Sequence, residues 1–197
     1  MIAYIRGKFT FKSPTEVVMD VQGIGYQIHI TLNTYGQIKD LAEGLLYTHL
    51  VIKEDAHTLF GFADRMEKQM FQHLISVSGV GPSTAQVVLS SLTSDQVNMA
   101  ILSEDERTFG RVKGIGPKTA KRIIIDLKDK IGKVEAGRVL TYASQNNTNV
   151  EEALSALVAL GFNRSQVQKA LNELLTKEQK DWSVEDLVKE GLRKLAQ

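Results

Sequence analysis

Apolar and polar residues alternate from the third residue. Ala3, Ile5, Gly7, Phe9 and Phe11 share one side of an extended segment, with Tyr4, Arg6, Lys8 and Thr10 on the other. That is the period-2 pattern of a strand with one dry face. Val17, Met19 and Val21 resume it, and Gln22-Gly23 makes a short hairpin turn. Ile24, Tyr26, Ile28, Ile30 and Leu32 then alternate with Gly25, Gln27, His29 and Thr31. Leu46, Thr48, Leu50 and Ile52 predict a fourth strand. A turn at Lys53-Glu54-Asp55-Ala56 leads to a fifth, His57 to Phe62. Five short strands within residues 1–62 predict a small barrel, closed or partly closed, of the oligonucleotide-binding (OB) type.

At Asp64 the period changes to that of helices. Asp64 with Glu67, and Ser103 with Glu106, have the spacing of capping boxes. Met66, Met70, Leu74 and Val77 follow the first at helical spacing. Residues 63–132 read as several short helices. Residues 133–148 have weak periodicity and a polar Ser-Gln-Asn-Asn-Thr run, which predicts a flexible linker. Residues 149–197 predict a small three-helix domain, with caps at Asn149, Asn163 and Ser183 and a helix stop at Gly161.

Composition narrows the class. Of 197 residues 43% are hydrophobic and 24% charged, which excludes a disordered or collagen-like chain. No apolar run approaches the ~20 residues of a membrane span. The start meets Arg6 before any export-signal core can form. With no cysteine there is no disulfide, thiolate nucleophile or thiolate metal site, and a cytoplasmic location is expected. His29, His49, His57 and His73 are scattered without ligand spacing, so neither a metal nor a cofactor is called for. A net charge of +1 places any case for nucleic acid on local charge.

The chemistry lies in an internal repeat. Val77-Ser78-Gly79-Val80-Gly81-Pro82-Ser83-Thr84-Ala85 recurs 35 residues later as Val112-Lys113-Gly114-Ile115-Gly116-Pro117-Lys118-Thr119-Ala120. Each copy ends a helix, turns through Gly-hydrophobic-Gly, and opens a helix with proline in its first position, where no hydrogen bond is lost. Glycine permits positive φ and close approach of a phosphate, and the exposed N–H groups of the next helix favour an anion. Such contacts grip phosphate without reading bases. A dinucleotide fingerprint would need a third glycine and a preceding strand. One copy alone reads equally as a plain helix-turn-helix joint; duplication with matched Gly, Gly, Pro, Thr and Ala favours a function. From Arg111 to Arg122 there are five basic residues and no acidic one. The first copy has Ser83 and Gln86 where the second has Lys118 and Lys121, and so relies more on backbone and hydroxyl donors.

Catalytic signals are weak. There is no phosphate-binding loop of an ATPase. A helix-hairpin-helix glycosylase or nuclease would use Asp126, which sits among isoleucines without stacking aromatics, or the run Glu104-Asp105-Glu106. A scaffold whose working part is the C-terminal domain is the third alternative.

The order of β segment, paired GVGPSTA and GIGPKTA turns, and C-terminal ALVALGF helix resembles the RuvA family, Holliday-junction-binding subunits of the bacterial branch-migration machine. The resemblance extends to MIAYIRG, DVQGIGYQIHI and VIKEDAHTLFGF, essentially the whole chain. It implies an OB-type barrel, a middle domain with two helix-hairpin-helix motifs, and a third domain that contacts the RuvB motor ATPase. It implies phosphate contacts at Gly79, Val80, Gly81, Ser83 and Thr84, and again at Lys113, Gly114, Ile115, Gly116, Lys118, Thr119, Lys121 and Arg122. Glu54 and Asp55 align with the family's acidic pin at the junction centre. Leu157, Leu160, Gly161 and Phe162 fall where the motor would dock; as residues, the apolar three read more simply as core, the commoner fate of a helical stripe. The implied assembly is a homotetramer, with an octamer as the alternative, around a four-way DNA junction, and the RuvC resolvase is a further candidate partner. The chain departs from the family at Ser83, a position often basic.

Overall fold

The computed structural model describes residues 2–140, 145–177 and 182–195. Strands β1 (Tyr4–Lys12), β2 (Glu16–Val21), β3 (Ile24–Ile30), β4 (Glu43–Ile52) and β5 (His57–Phe62) close into a barrel in the order β1-β2-β3-β5-β4. All pairings are antiparallel except β3 with β5. This is the barrel expected from the alternation. Ile5, Val17, Met19, Ile28, Ile30, and Leu46 fill it. The β2–β3 turn holds Gln22 at φ 54° and Gly23 at φ 89°, two successive left-handed residues that match the twist of the flanking strands.

Ile24 and Ile52 are exposed at the ends of their strands, and two further details depart from the alternation. A bulge between Phe9 and Phe11 shifts the register against β2, so Phe11 leaves the dry face and is exposed. The third strand stops at Ile30, because the Thr31 hydroxyl accepts from Thr34 N at 3.0 Å and caps a helix, α1 (Leu32–Ile38). Leu32 therefore points to solvent.

Helices α2 (Arg65–Ile75), α3 (Pro82–Ser91), α4 (Ser94–Leu102), α5 (Glu106–Gly110) and α6 (Pro117–Leu140) follow. Their core takes in Phe60 and Phe62 of β5, whose rings each lie 5.0 Å from that of Phe71. Barrel and short helices belong to one compact unit, Met1–Ile131. Asp64 caps α2 as expected, accepting from Glu67 N at 2.7 Å. Ser103 caps nothing at an N-terminus: it ends α4, donating to Met99 O, and Asp105 caps α5 instead. A carboxylate one step before the helix accepts the orphan N–H groups more strongly than a distant hydroxyl. The reciprocal box forms at Thr93 and Gln96.

Helix α6 runs on to Leu140, and α7 (Gln145–Ala159) begins before Asn149, so most of the span read as linker has helical backbone; residues 141–144 lie outside the described ones. Val134, Glu135, Ala136 and Leu140 are compatible with helix, and the polar run that suggested a linker also tolerates one. Asn149 is thus no cap, and its amide donates to Trp182 O. The second unit, Gly132–Gln197, packs α7, α8 (Arg164–Lys177) and α9 (Val184–Leu195) around Leu154, Leu157, Val167, Leu171 and Leu187. Asn163 and Ser183 cap α8 and α9 as expected. Gly161, at φ 100°, ends α7, with Phe162 N returning to Leu157 O. At Gly191 an added Cβ would stand 2.7 Å from Leu157 Cδ1, so α9 approaches α7 closely there. Among the described residues no helix is long and apolar enough to cross a membrane.

Candidate nucleic-acid interface

The two repeat copies fold alike down to single hydrogen bonds. Gly79 and Gly114 have φ of 93° and 90°. Val80 N donates to Val77 O at 3.0 Å, and Ile115 N to Val112 O at 3.1 Å. Ala85 N reaches Gly81 O and Ala120 N reaches Gly116 O, both at 2.9 Å. Val77, Val80, Val112 and Ile115 are buried in the same core. Val80 and Ile115, read as part of the phosphate grip, thus have their side chains in the core and their N–H groups engaged within the turn. What they supply is anchorage, holding the glycines of each turn outside.

Gly81 is the N-cap of α3 and offers no side-chain bond, and Pro82 follows. The N–H groups of Ser83 and Thr84 are therefore orphans of the first turn, presented beside an exposed hydroxyl. At the second copy Lys113, Gly116, Lys118, Lys121 and Arg122 are exposed and Thr119 half-buried. Arg122 Nε stands 3.7 Å from Asp126 Oδ2, one helical turn on, which offsets part of its charge. The same contact gives Asp126 an electrostatic partner rather than a base pocket. Replacing Asp126 by Asn is expected to tighten DNA binding about two- to fivefold at low salt, the scale of an exposed pair. Fluorescence anisotropy with labelled duplex measures it, and unchanged binding would remove Arg122 from the face.

The difference between the copies has a structural cause. Gln86, at the position of Lys121, donates through Nε2 to Ile30 O at 2.6 Å and Thr15 O at 3.3 Å. The first hairpin's helix is tied to the barrel by the residue that the second leaves as a free cation. Sequence reading also missed a groove of about 300 Å³ between α3 and the barrel, where His29 and Lys53 stand beside Pro82 and Ser83. It brings a cation to the hairpin that has none, from a residue 30 positions earlier, and no local pattern announces that.

Glu54 and Asp55 are exposed at the turn between β4 and β5, closed by Lys53 N to Ala56 O at 2.9 Å. In the C-terminal unit the four residues assigned to the motor separate. Leu157 is in the core and Phe162 half-buried, whereas Leu160 and Gly161 are exposed at the end of α7. Among the described residues no group of three or more His, Asp or Glu is placed to hold a metal ion.

An OB-type barrel carrying an acidic turn, fused to tandem helix-hairpin-helix motifs with a basic second copy, defines a DNA-binding protein of the helix-hairpin-helix class. Known families divide the chain the same way. The RuvA N terminal domain matches residues 1–61, the SAM-like helix-hairpin-helix tandem 71–129, and the RuvA C-terminal domain 148–196. Proteins described as Holliday junction branch migration complex subunit RuvA are similar throughout. That of Christiangramia forsetii is 51% identical over 99% of this chain and 100% of its own length. That of Cytophaga hutchinsonii is 49% identical over 98% and 99%, and that of Flavobacterium psychrophilum 47% over 99% and 100%. The chain belongs to the RuvA family.

Proposed function

We propose that this chain binds four-way (Holliday) DNA junctions as a homotetramer, holds them open, and presents them to the RuvB motor ATPase for branch migration in recombination and repair. The observation that carries the reading is the pair of identically closed hairpin turns on one core, in a unit that also exposes an acidic turn. Phosphate grips on each subunit and four subunits match four duplex arms by symmetry, and several modest sites acting together supply avidity that the small net charge does not. The chain has no catalytic role; ATP hydrolysis belongs to the motor, and the setting is cytoplasmic. The RuvA relatives' shared description as a Holliday junction branch migration complex subunit supports the junction-binding and branch-migration reading. The barrel (1–62) and tandem hairpins (63–132) bind DNA, and residues 149–197 meet the motor, with Leu160 and Gly161 the exposed part of that contact.

The test is a gel shift comparing a synthetic four-way junction with linear duplex of one arm's sequence, without magnesium and at fixed salt. Strong preference for the junction without cleavage is expected. Equal binding would leave a general hairpin DNA binder, and a cleavage product would favour the nuclease reading. The native mass of the complex separates tetramer from octamer, and adding RuvC to it tests that partner.

Glu54 and Asp55 act by repulsion: at the junction centre they exclude an ordinary duplex backbone and help part the strands. Replacing them by Gln and Asn is expected to improve linear-duplex binding about tenfold, since like-charge contacts at an interface cost on the order of a kcal/mol or more. Competition between junction and duplex measures it; an unchanged preference would count against the role. Deleting residues 149–197 is expected to leave junction binding intact and to abolish stimulation of the motor. Failure of that truncation to bind junctions would overturn the division of labour.

A further inference from the structure

Glu67 is 3% exposed, and its carboxylate does not close the capping box that the sequence suggests. One oxygen accepts from the Thr31 hydroxyl and the other from the Thr34 hydroxyl, the latter at 2.6 Å. Each hydroxyl oxygen in turn accepts a backbone N–H: Thr31 from Thr34 N, and Thr34 from Ala63 N, both at 3.0 Å. With both hydroxyl protons spent on it, the carboxylate serves as acceptor on both oxygens, the arrangement of its ionised form. Burial raises its pKa, while the two hydroxyls pull it down and nearby Asp64 raises it further. Among the described residues it has no ion-pair partner. Burying a charge without a cation is costly, and neither the hairpins nor the acidic turn uses this one. Its position explains it: the relay joins α1 of the barrel, the β5–α2 connection and α2, the helix that leads into the first hairpin.

The same barrel stretch also grips the helix that leaves that hairpin. Gln86 reaches Ile30 O; Leu32 N donates to Ser90 Oγ at 3.1 Å; Asn33 Nδ2 donates to Leu89 O at 2.6 Å and Leu92 O at 3.1 Å. The barrel residues from Ile30 to Thr34 therefore hold both helices of the first hairpin. The second is held differently: the ion pairs of α6 among the described residues run to Asp126 in the same helix and to Glu104 before α5.

We propose that the two hairpins divide the work, the second supplying charge and the first serving as the geometric reference, with Glu67 and Gln86 as positioning residues that fix its distance from the acidic turn and so set the preference for junction over duplex. The proposal rests on the junction-binding reading. A phosphate grip holds any backbone. Junction and duplex differ in where the strands turn away, and that difference is sensed only if grip and carboxylates keep a fixed separation. A first hairpin free to shift would still hold phosphate but would let a continuous duplex pass the acidic turn.

Competition gel shifts on the full chain test this with Gln86→Ala, with Thr34→Val, which keeps the shape and removes the hydroxyl, and with Thr34→Ser, which restores it. Circular dichroism melting follows the fold. Gln86→Ala and Thr34→Val are expected to lower the junction-over-duplex ratio about tenfold through tighter duplex binding, with junction affinity within about twofold, and Thr34→Ser to recover the ratio. Lys118→Ala is expected to weaken both DNAs together and leave the ratio alone. If Thr34→Val does not fold, Gln86→Ala decides. A ratio that stays within about twofold of the unsubstituted protein in the folded variants overturns the proposal. A lack of junction preference in the unsubstituted protein refutes instead the reading beneath it, and the proposal with it.

Discussion

Replacing Lys118, Lys121 and Arg122 together by alanine is expected to weaken binding to a duplex arm about a hundredfold and to flatten its salt dependence. All three are exposed on the first two turns of α6, beside the glycine turn at Gly114 and Gly116. Removing one phosphate-neutralising cation takes about 0.9 from the slope of log K against log salt, so removing three takes close to three per bound subunit. At about 1 kcal/mol for each exposed charged group on phosphate, the sum is near two decades in affinity. Arg122 contributes least, because Asp126 competes for it. Anisotropy titrations at several salt concentrations give both numbers from one data set. Reduced affinity with an unchanged slope would mean that the substitutions disturbed the turn and left the phosphate grip in place. No change in either would leave the hairpins structural, as in the alternative of a protein-interaction scaffold.

Phe71→Ala is expected to cost the first unit about 3–5 kcal/mol, the range for removing a fully buried aromatic ring. The side chain has no exposure, and its ring meets Phe60 and Phe62 at 5.0 Å and His49 edge-on at 5.6 Å. It sits where β5 of the barrel and α2 of the helical region share one core, so the loss is felt by both. Against a typical total of about 5–15 kcal/mol, such a change brings the unit near its limit. The second unit has its own core, and it contains Trp182, the chain's single tryptophan. Tryptophan fluorescence should therefore melt as in the unsubstituted chain, while far-ultraviolet circular dichroism loses its first-unit transition at a much lower temperature. A parallel fall in both signals would contradict the independence of the two units.

Features with a local period could be read directly from the chain. The strands of the barrel follow from alternation, and the hairpins from the doubled Gly-x-Gly-Pro with valine or isoleucine between the glycines. What escaped was set by a single competing bond or by partners remote in sequence. Thr31 and Leu32 continue the strand alternation, yet a threonine capping bond turns the chain into α1. The bulge after Phe9 reverses the side on which Phe11 lies, although its spacing is unbroken. Ser103 had the right residue three places on, but Asp105 stood closer to the helix. At the site, the turn geometry was legible, whereas the uses of Glu67 and Gln86 were not. Their partners, Thr31, Thr34 and Ile30, lie 33 to 56 residues earlier, and only the folded barrel brings them together. For the same reason Leu157, one of a stripe of similar leucines, turned out to be core while Leu160 did not.

Both hairpin turns are closed by backbone bonds between their own residues, from Val80 N to Val77 O and from Ile115 N to Val112 O. Binding then has little backbone left to order, and the entropy it costs is that of lysine and arginine side chains rather than of loops. Encounter should be governed by diffusion and charge, with no slow rearrangement before capture. Substitutions along these turns would then show themselves mainly in how long the DNA stays rather than in how fast it arrives.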